Sequence, residues 1–393
     1  MTTAPTPTAP DARRAWWTTG SVVLDHRRNG LNGVRLVLAL AVLVAHGWYL
    51  AGAGVGPHVA GENIGGWAVF GFFALSGYLI TASRWTRSLG EYLVHRVARI
   101  YPAFLVCLVV TAFVFAPIGW YVAHGTLDGF FGTGTTPLGY VLNNVTLRMN
   151  AYDVAQTPAG VPYPAAWNGS LWSLYYEFAC YLLVGALGCL ALVRRNAWGM
   201  GVALVASIVL KANEGLLGRY TGPNADLTFL LKLVPFFLAG GLLWMLRDRV
   251  VLSWPGAVLA GVATIASVAF VPGWGAQLAA VPLAYGLLWC GAVLPLPSLL
   301  RRHDVSYGTY IYAFPVQQLL ALAGVHRLGL AVYDLLAVVA TVPLAVASWL
   351  LVERPVMRRA RRGRTSTPST TAVDDGAPGR AAVPEPAPAP AKV

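Results

Sequence analysis

The feature that most constrains this chain is a succession of apolar segments, each about as long as a membrane-spanning helix. Such a helix needs about 20 mostly apolar residues, and the stretches that meet this need are 31–51, 65–82, 100–122, 171–193, 197–212, 227–246, 251–270, 276–297, 304–325 and 330–352. Only 11% of the residues are charged, whereas soluble proteins have about 25%. The sequence therefore predicts an all-α integral membrane protein, a bundle of about ten transmembrane helices.

Clusters of arginine set the orientation that the sequence predicts. They precede the first span, separate the second from the third, and recur at every later connection of the same parity, which the positive-inside rule assigns to the cytoplasm. Their members are Arg13, Arg14, Arg27, Arg28, Arg84, Arg87, Arg96, Arg99, Arg194, Arg195, Arg247, Arg249, Arg301, Arg302, Arg354, Arg358, Arg359, Arg361, Arg362 and Arg364. We therefore expect a multi-pass protein of the plasma membrane with both termini in the cytoplasm. Because the positive charge lies in these short clusters, it does not indicate a nucleic-acid surface.

Three regions follow from this pattern. Residues 29–358 form the membrane domain, and the tails 1–28 and 359–393 are expected to be disordered and cytoplasmic, since they offer little apolar surface. The external loop 123–170 is much longer than the other external connections and is rich in Gly, Pro, Asn and aromatic residues. A long loop inside a compact domain is more often functional than idle.

Few ionisable side chains occur inside the predicted spans, and each costs about 2.5–3.5 kcal/mol at the bilayer centre on insertion scales. In the first span His46 follows Arg35 by eleven positions, so the two share a helix face and lie about 16 Å apart along the axis. Arg35 is expected near the cytoplasmic entrance and His46 in the outer half. Glu177, in the antiparallel fourth span, is expected at a depth close to that of His46.

This matched depth predicts a catalytic pair of His46 and Glu177. A carboxylate beside a histidine selects the tautomer and stabilises the imidazolium, as a general base in a dry site requires. Ser173 precedes Glu177 by four positions on the same helix face and is a candidate supporting partner. The alternative is a structural hydrogen bond between helices, but the shared face with Arg35 favours chemistry.

A basic site is predicted at the cytoplasmic mouth. The segment EYLVHRVARIYPAF places Arg96 and Arg99 three positions apart on one helix face, and guanidinium groups suit phosphates. With Arg35 at a similar level, these residues predict a site for an anionic cytoplasmic donor, although an ordinary positive-inside cluster is the alternative. Asn32 and Ser76 are expected to support the site, although small residues such as Ser76 more often indicate close helix packing.

At these positions the sequence resembles the acyltransferase-3 family of membrane acyltransferases, from about residue 29 to residue 358. The resemblance lies in five segments in the family's order, NGLNGVRLVLALAVLVAH, GFFALSGYLI, RVARIYP, LWSLYYEFACYLL and VERP. It implies that His46 is the catalytic residue and that Arg96 and Arg99 serve the acyl donor, usually an acyl-coenzyme A. Two positions depart from the family, because Asn32 replaces a common aspartate and the region of Ala313 lacks a common histidine.

The combined expectation is a membrane-embedded O-acyltransferase. It would move an acyl group from cytoplasmic acyl-CoA, as co-substrate, to a hydroxyl of a sugar, glycan or secondary metabolite presented externally. No bound cofactor, metal or nucleic acid is expected, and membrane lipid is the other partner. A proton-coupled exporter is the main alternative, although the paired repeats and broken helices typical of transporters are not evident. A catalytically inactive subunit that holds a partner or lipid is the second alternative.

Overall fold

The computed structural model describes residues 21–22, 24 and 29–362, which are mostly helical. The helices are α1 Leu31–Leu50, α2 Ile64–Trp85, α3 Leu89–Val110, α4 Ala116–His124, α5 Pro137–Asn144, α6 Ser173–Leu187, α7 Ala191–Arg195, α8 Trp198–Ala212, α9 Glu214–Thr221, α10 Ala225–Met245, α11 Trp254–Phe270, α12 Gly275–Leu278, α13 Ala280–Val293, α14 Ser298–Arg302, α15 Ser306–Leu322, α16 Leu330–Ala347 and α17 Arg354–Arg362. Two five- to six-residue π-helical turns, Thr111–Phe115 and Ser348–Glu353, join α3 to α4 and α16 to α17. Each of these joined pairs is one continuous helix.

Five helices are long and apolar enough to cross a membrane by length and composition: Leu31–Leu50, Ile64–Trp85, Leu89–His124, Ala225–Met245 and Leu330–Arg361. The pair α8 and α9, bent by 75° at its break, would make a sixth. Every predicted span contains a helix, but α6, α11 and α13 have only 15, 17 and 14 residues. The described residues therefore support five or six spanning helices, and the predicted count of about ten is not confirmed.

The starts of the long helices follow from local sequence. Ser88 and Glu91 form a capping box at the start of α3, in which each side chain meets the other's backbone. The Asn63 side chain accepts a hydrogen bond from the backbone N–H of Gly66 at the start of α2. These caps satisfy backbone donors that have no partner inside the helix. As a result α3 begins well before the predicted span at 100, so that Arg96 and Arg99 lie inside a helix.

Close backbone contact joins α2 to α10 at the centre of the bundle. A Cβ added to Gly77 would lie 1.9 Å from the carbonyl oxygen of Phe237, and one added to Gly240 would lie 1.9 Å from that of Ala74. Only glycine permits this approach, which is typical of membrane helices that pack through small residues. The small residues of the second predicted span therefore serve packing at Gly77.

The long loop between α4 and α6 is held into the helix bundle by buried polar contacts. The Asn168 amide donates to the Thr111 hydroxyl at 2.9 Å and to the Tyr140 hydroxyl at 2.7 Å. The Trp167 indole N–H donates to the Thr157 hydroxyl at 3.0 Å. Asn168 and Trp167 are fully buried. The loop is therefore an integral part of the fold, and its predicted functional role stays a prediction.

The predicted tails fall mostly outside the described residues. Ser21–Val22 forms strand β1, which pairs antiparallel with β4, Leu252–Ser253. The other pair of strands is a small hairpin, in which β2, His58–Val59, pairs antiparallel with β3, Glu62–Asn63. At the other end, α17 continues through Arg362 into the region assigned to the C-terminal tail. The predicted cytoplasmic residues Arg13, Arg14, Arg27, Arg28 and Arg364 lie outside the described ranges.

Candidate active site

Four charged residues from distant parts of the chain form a buried ion-pair network. Nη1 of Arg35, in α1, lies 2.5 Å from Oδ2 of Asp304, and Nη2 of Arg99, in α3, lies 2.7 Å from the same oxygen. Nη1 of Arg99 lies 2.8 Å from Oε2 of Glu353. The network connects the first, third and last long helices with the residue that precedes α15. It brings together two of the three arginines predicted to bind the donor.

Asp304 is the centre of this network. Its second oxygen accepts a hydrogen bond from the Ser306 hydroxyl at 2.5 Å. Both guanidinium groups pair with this carboxyl group, and the Ser306 hydroxyl donates to it, which stabilises its ionised form. The carboxylate therefore stays ionised and fixes the positions of both guanidinium groups.

Arg35, Arg96 and Arg99 line one cavity of about 320 Å³. We call this cavity the basic pocket, and its other charged or titratable lining residues are Arg87, His95, Tyr181, Asp304 and Arg361. Arg96 has no carboxylate partner in the described part of the chain, and its buried Nε has no hydrogen-bond partner there. Its guanidinium lies over the rings of Tyr92 and Tyr181, 5.9 and 5.7 Å from their centroids. The pocket therefore carries positive charge that the described residues leave uncompensated.

A second, narrower cavity begins at Arg35, which lines both. Ser173, Glu177, Tyr307 and Tyr310 line it as well. The Ser173 and Tyr310 hydroxyls are 2.6 Å apart, and the Tyr310 hydroxyl donates to a backbone carbonyl of the long loop. The two cavities thus meet at one arginine, with the basic pocket on one side and the carboxylate of Glu177 on the other.

Glu177 is held by two hydroxyl groups. Oε1 accepts hydrogen bonds from Ser76 at 2.8 Å and from Tyr181 at 2.6 Å. Oε2 has no protein donor among the described residues. Ser76 therefore orients this carboxylate, and its supporting role in a reaction stays a prediction. Glu177 also lines the narrow cavity.

His46 makes no hydrogen bond to Glu177 in the described residues, so their predicted pairing stays a prediction. The His46 ring packs edge-on against Tyr49 and Phe314, with centroid distances of 5.6 and 5.2 Å. Its Nδ1 is buried and has no hydrogen-bond partner in the part of the chain that the structure describes. The hydrogen bonds of Glu177 go to Ser76 and Tyr181 instead.

Asn32 contacts the segment before Asp304 and lines neither of the two cavities. Its amide donates to the backbone carbonyls of Leu300 and Arg301, at 3.3 and 3.1 Å. These contacts fix the segment that leads to Asp304. An aspartate at this position would lack these donors, so the contacts give a structural reason for an amide here.

Asp304, Glu353 and Tyr181 were not predicted as site residues from the sequence. Glu353 stands in the VERP segment and Asp304 is the first residue of a predicted span, so both were visible as acids at the ends of apolar segments. Their partners are more than 200 positions away, at separations of 205 and 254 from Arg99. No local spacing relates residues that far apart.

Comparison with known proteins identifies the family of the chain. The family model described as an acyltransferase domain matches residues 28–350, which contain Arg35, His46, Arg96, Arg99 and Glu177. The chain belongs to the acyltransferase-3 family. It is therefore an acyltransferase and a membrane protein.

Two curated relatives align with this chain over nearly the whole of their own length. An O-acetyl transferase of Shigella phage Sf6 is 29% identical over 360 residues, which cover 85% of this chain and 97% of the relative. Nodulation protein 10 of Rhizobium leguminosarum bv. viciae is 28% identical over 362 residues, which cover 84% and 94%. The first supports O-acyl transfer as the activity of this acyltransferase. No solved structure matches the chain significantly.

Proposed function

We propose that this acyltransferase takes an acyl group from cytoplasmic acyl-CoA and transfers it to a hydroxyl of a carbohydrate or another small acceptor on the external side. In this proposal it is a multi-pass plasma-membrane protein of about ten spans, with both termini in the cytoplasm. The observation that carries the proposal is the convergence of Arg35, Arg96 and Arg99 on one pocket, which shares Arg35 with a narrow cavity in the bundle.

The basic pocket supports a phosphate-bearing donor. Acyl-CoA carries several phosphates at one end and a thioester at the end of a thin pantetheine arm. Arg96 suits a phosphate, because its guanidinium has no carboxylate partner among the described residues and is oriented by two tyrosine rings. Arg99 is held by Asp304 and Glu353, so we propose that it shapes the pocket and contributes less directly to binding.

We propose that the pantetheine arm enters between the residues that line the narrow cavity, which would have to widen from its volume of about 30 Å³. This arm contains two amide N–H groups, and the free oxygen of Glu177 is an acceptor beside the path. Arg35 stands where the two cavities meet, so the arm would pass it on the way inward. In this proposal Glu177 orients the donor, a role that replaces the predicted orientation of His46.

His46 is proposed to act as the general base. Its Nδ1 has no hydrogen-bond partner among the described residues, and a neutral imidazole accepts a proton from a hydroxyl. The acceptor oxygen would then attack the thioester carbonyl, the acyl–sulfur bond would break, and coenzyme A would leave as the thiolate and take up a proton. Transfer of the acyl group first to His46 itself is a variant of the same scheme.

The acceptor is proposed to arrive from the side of the long loop. Tyr163 of this loop packs against Tyr49, with ring centroids 5.1 Å apart, and Tyr49 packs against His46. A further cavity of about 490 Å³ lies by the same loop and is lined by Arg148, Met149, Tyr152, Trp172, Tyr175, Tyr176, Asp226 and Phe229. Aromatic rings beside an Arg148–Asp226 ion pair suit an acceptor with both apolar faces and hydroxyl groups.

We expect Arg96→Ala to raise the apparent KM for acyl-CoA roughly tenfold or more, because a hydrogen bond to a charged group contributes about 1.5–3 kcal/mol. Coenzyme A alone keeps the phosphates, so it should protect the detergent-solubilised wild-type protein against heat, and Arg96→Ala should lose this protection. Arg219→Ala, which removes an exposed arginine of α9, is the control and should keep it. Calorimetry with coenzyme A measures the binding directly.

The same measurement separates the enzyme from an exporter. If folded wild-type protein binds neither coenzyme A nor acyl-CoA at millimolar concentration, the donor assignment is wrong. An exporter of another solute has no reason to recognise coenzyme A.

We expect Glu177→Gln to lower the rate of acyl transfer by less than His46→Ala. The amide oxygen of glutamine still accepts from Ser76 and Tyr181, so the local network survives. The free carboxylate oxygen becomes an N–H donor, which weakens the proposed contact with the pantetheine arm. Steady-state rates of the two folded variants test this order, and a larger loss in Glu177→Gln would identify Glu177 as the primary base.

A further inference from the structure

A second basic cavity, of about 830 Å³, lies where the ends of α2 and α10 meet α7 and α8. We call it the tryptophan–arginine cavity, and its defining lining residues are Trp85, Trp198, Trp244, Arg194, Arg195, Arg247 and Arg249. It shares no lining residue with the basic pocket or with the narrow cavity. The proposed transfer reaction therefore makes no use of it.

Contacts between helices hold the walls of this cavity. The Trp85 indole N–H donates to the backbone carbonyl of Arg194 at 3.2 Å, which ties α7 to α2. Trp85 and Trp244 meet edge to face with centroids 6.0 Å apart. The Arg247 guanidinium lies 4.2 Å from the centroid of the Trp244 ring. Trp85 therefore holds α7 at the wall of the cavity, and Trp244 orients the Arg247 guanidinium.

The cavity has a strong excess of positive charge. Its only acidic lining residue is Asp248, whose side chain is 80% exposed and lies 3.4 Å from Arg247. Arg194, Arg195 and Arg249 have no carboxylate partner within the described ranges. These three arginines are exposed, so an anion can reach them. The charge favours an anionic ligand over a neutral or cationic one.

An apolar helix face continues from the cavity along α8. Trp198 and Gly201 line the cavity, and Val202, Val205 and Val209 follow with 66%, 60% and 53% of their surface exposed. Spacings of three and four residues place these valines on one helix face. An amphiphile with an anionic head in the cavity would therefore lay its hydrocarbon chain on this face.

We propose that the tryptophan–arginine cavity binds the phosphate headgroup of an anionic phospholipid, with an acyl chain along α8. Tryptophan is enriched at the level of lipid headgroups, and basic pockets between helices on the cytoplasmic side recognise anionic headgroups. The arginines of this cavity belong to the clusters that the positive-inside rule assigns to the cytoplasm. The occupant is therefore a lipid of the cytoplasmic leaflet.

The test uses the full-length protein in neutral detergent, with phosphatidylglycerol or phosphatidylcholine added back. Phosphatidylglycerol should raise the temperature of unfolding and remain bound in native mass spectrometry, whereas phosphatidylcholine should do neither. The variant Arg194→Gln/Arg195→Gln/Arg249→Gln should bind phosphatidylglycerol roughly 100-fold more weakly, because each basic residue near the membrane surface adds about fivefold to the affinity. The control Arg219→Gln/Arg327→Gln should bind it like the wild type.

Three results would overturn the proposal. The first is a folded triple variant that binds phosphatidylglycerol as tightly as the wild type. The second is equal protection by glycerol phosphate, which would show that a free phosphate suffices and that no lipid is required. The third is displacement of phosphatidylglycerol by coenzyme A in the wild type, which would assign the cavity to the acyl donor.

Discussion

Replacement of His46 by alanine is expected to lower the rate of acyl transfer about 10²- to 10⁴-fold, the usual contribution of a positioned general base. The protein should remain folded, because Nδ1 of His46 makes no hydrogen bond to the described residues and its loss leaves no buried partner unsatisfied. Transfer measured with purified protein, acyl-CoA and acceptor, together with the temperature of unfolding, tests both parts.

His58→Ala is the matched control for this variant. The His58 side chain is exposed and its Nδ1 lies 2.8 Å from the backbone oxygen of Gly56, away from both cavities. The variant His58→Ala should keep full activity. Activity close to that of the wild type in folded His46→Ala would show that the histidine serves packing against Tyr49 and Phe314, and would remove the proposed mechanism.

Replacement of Arg99 by alanine is expected to lower the free energy of unfolding by about 3–5 kcal/mol, the usual cost of removing one partner from a buried ion pair. Asp304 would keep Arg35, but Glu353, whose side chain is 1% exposed, would keep only the hydroxyl of Ser348. The temperature of unfolding in detergent should therefore fall clearly in Arg99→Ala. The temperature of unfolding should fall much less in Arg96→Ala, because Arg96 has no carboxylate partner in the described residues.

A second substitution distinguishes lost pairing from lost packing. In the Arg99→Ala background, Glu353→Gln removes the unpaired carboxylate and should restore part of the stability, although the same change destabilises the wild type. Additive effects of the two substitutions would show that the Arg99–Glu353 contact contributes little. In that case Arg99 would be free for the donor, as the sequence alone suggests.

The sequence predicted the basic pocket well, because its evidence is local. Arg96 and Arg99 are one helical turn apart, and Arg35 lies at the same end of an apolar helix, so that helical geometry and the positive-inside rule place all three near one mouth. The structure brings them to one cavity. Ser76 was expected to support the site, and its hydrogen bond to Glu177 gives that role a partner.

The pairing of His46 with Glu177 could not be decided from the sequence, for a physical reason. Sequence position along a helix gives the depth of a side chain, but not which helices are neighbours or which faces they turn to each other. His46 faces Phe314 of α15, whereas Glu177 faces Ser76 of α2. The number of spans has a similar limit, because α6 and α13 end after 15 and 14 residues within apolar stretches that continue.

The order of the charges along the chain bears on how the protein is made. Asp304 follows Arg35 by 269 positions and Arg99 by 205, and Glu353 follows Arg99 by 254. At a synthesis rate of about 5–20 residues per second, both arginines leave the ribosome roughly 10–50 s before the acids that neutralise them. During that interval the early helices carry unpaired cations, which are costly in lipid and tend to stay near the headgroups. The first long helix therefore gains its ion-pair partner only after Asp304 has been made, and the third gains all of its partners only after Glu353 of the last long helix has been made.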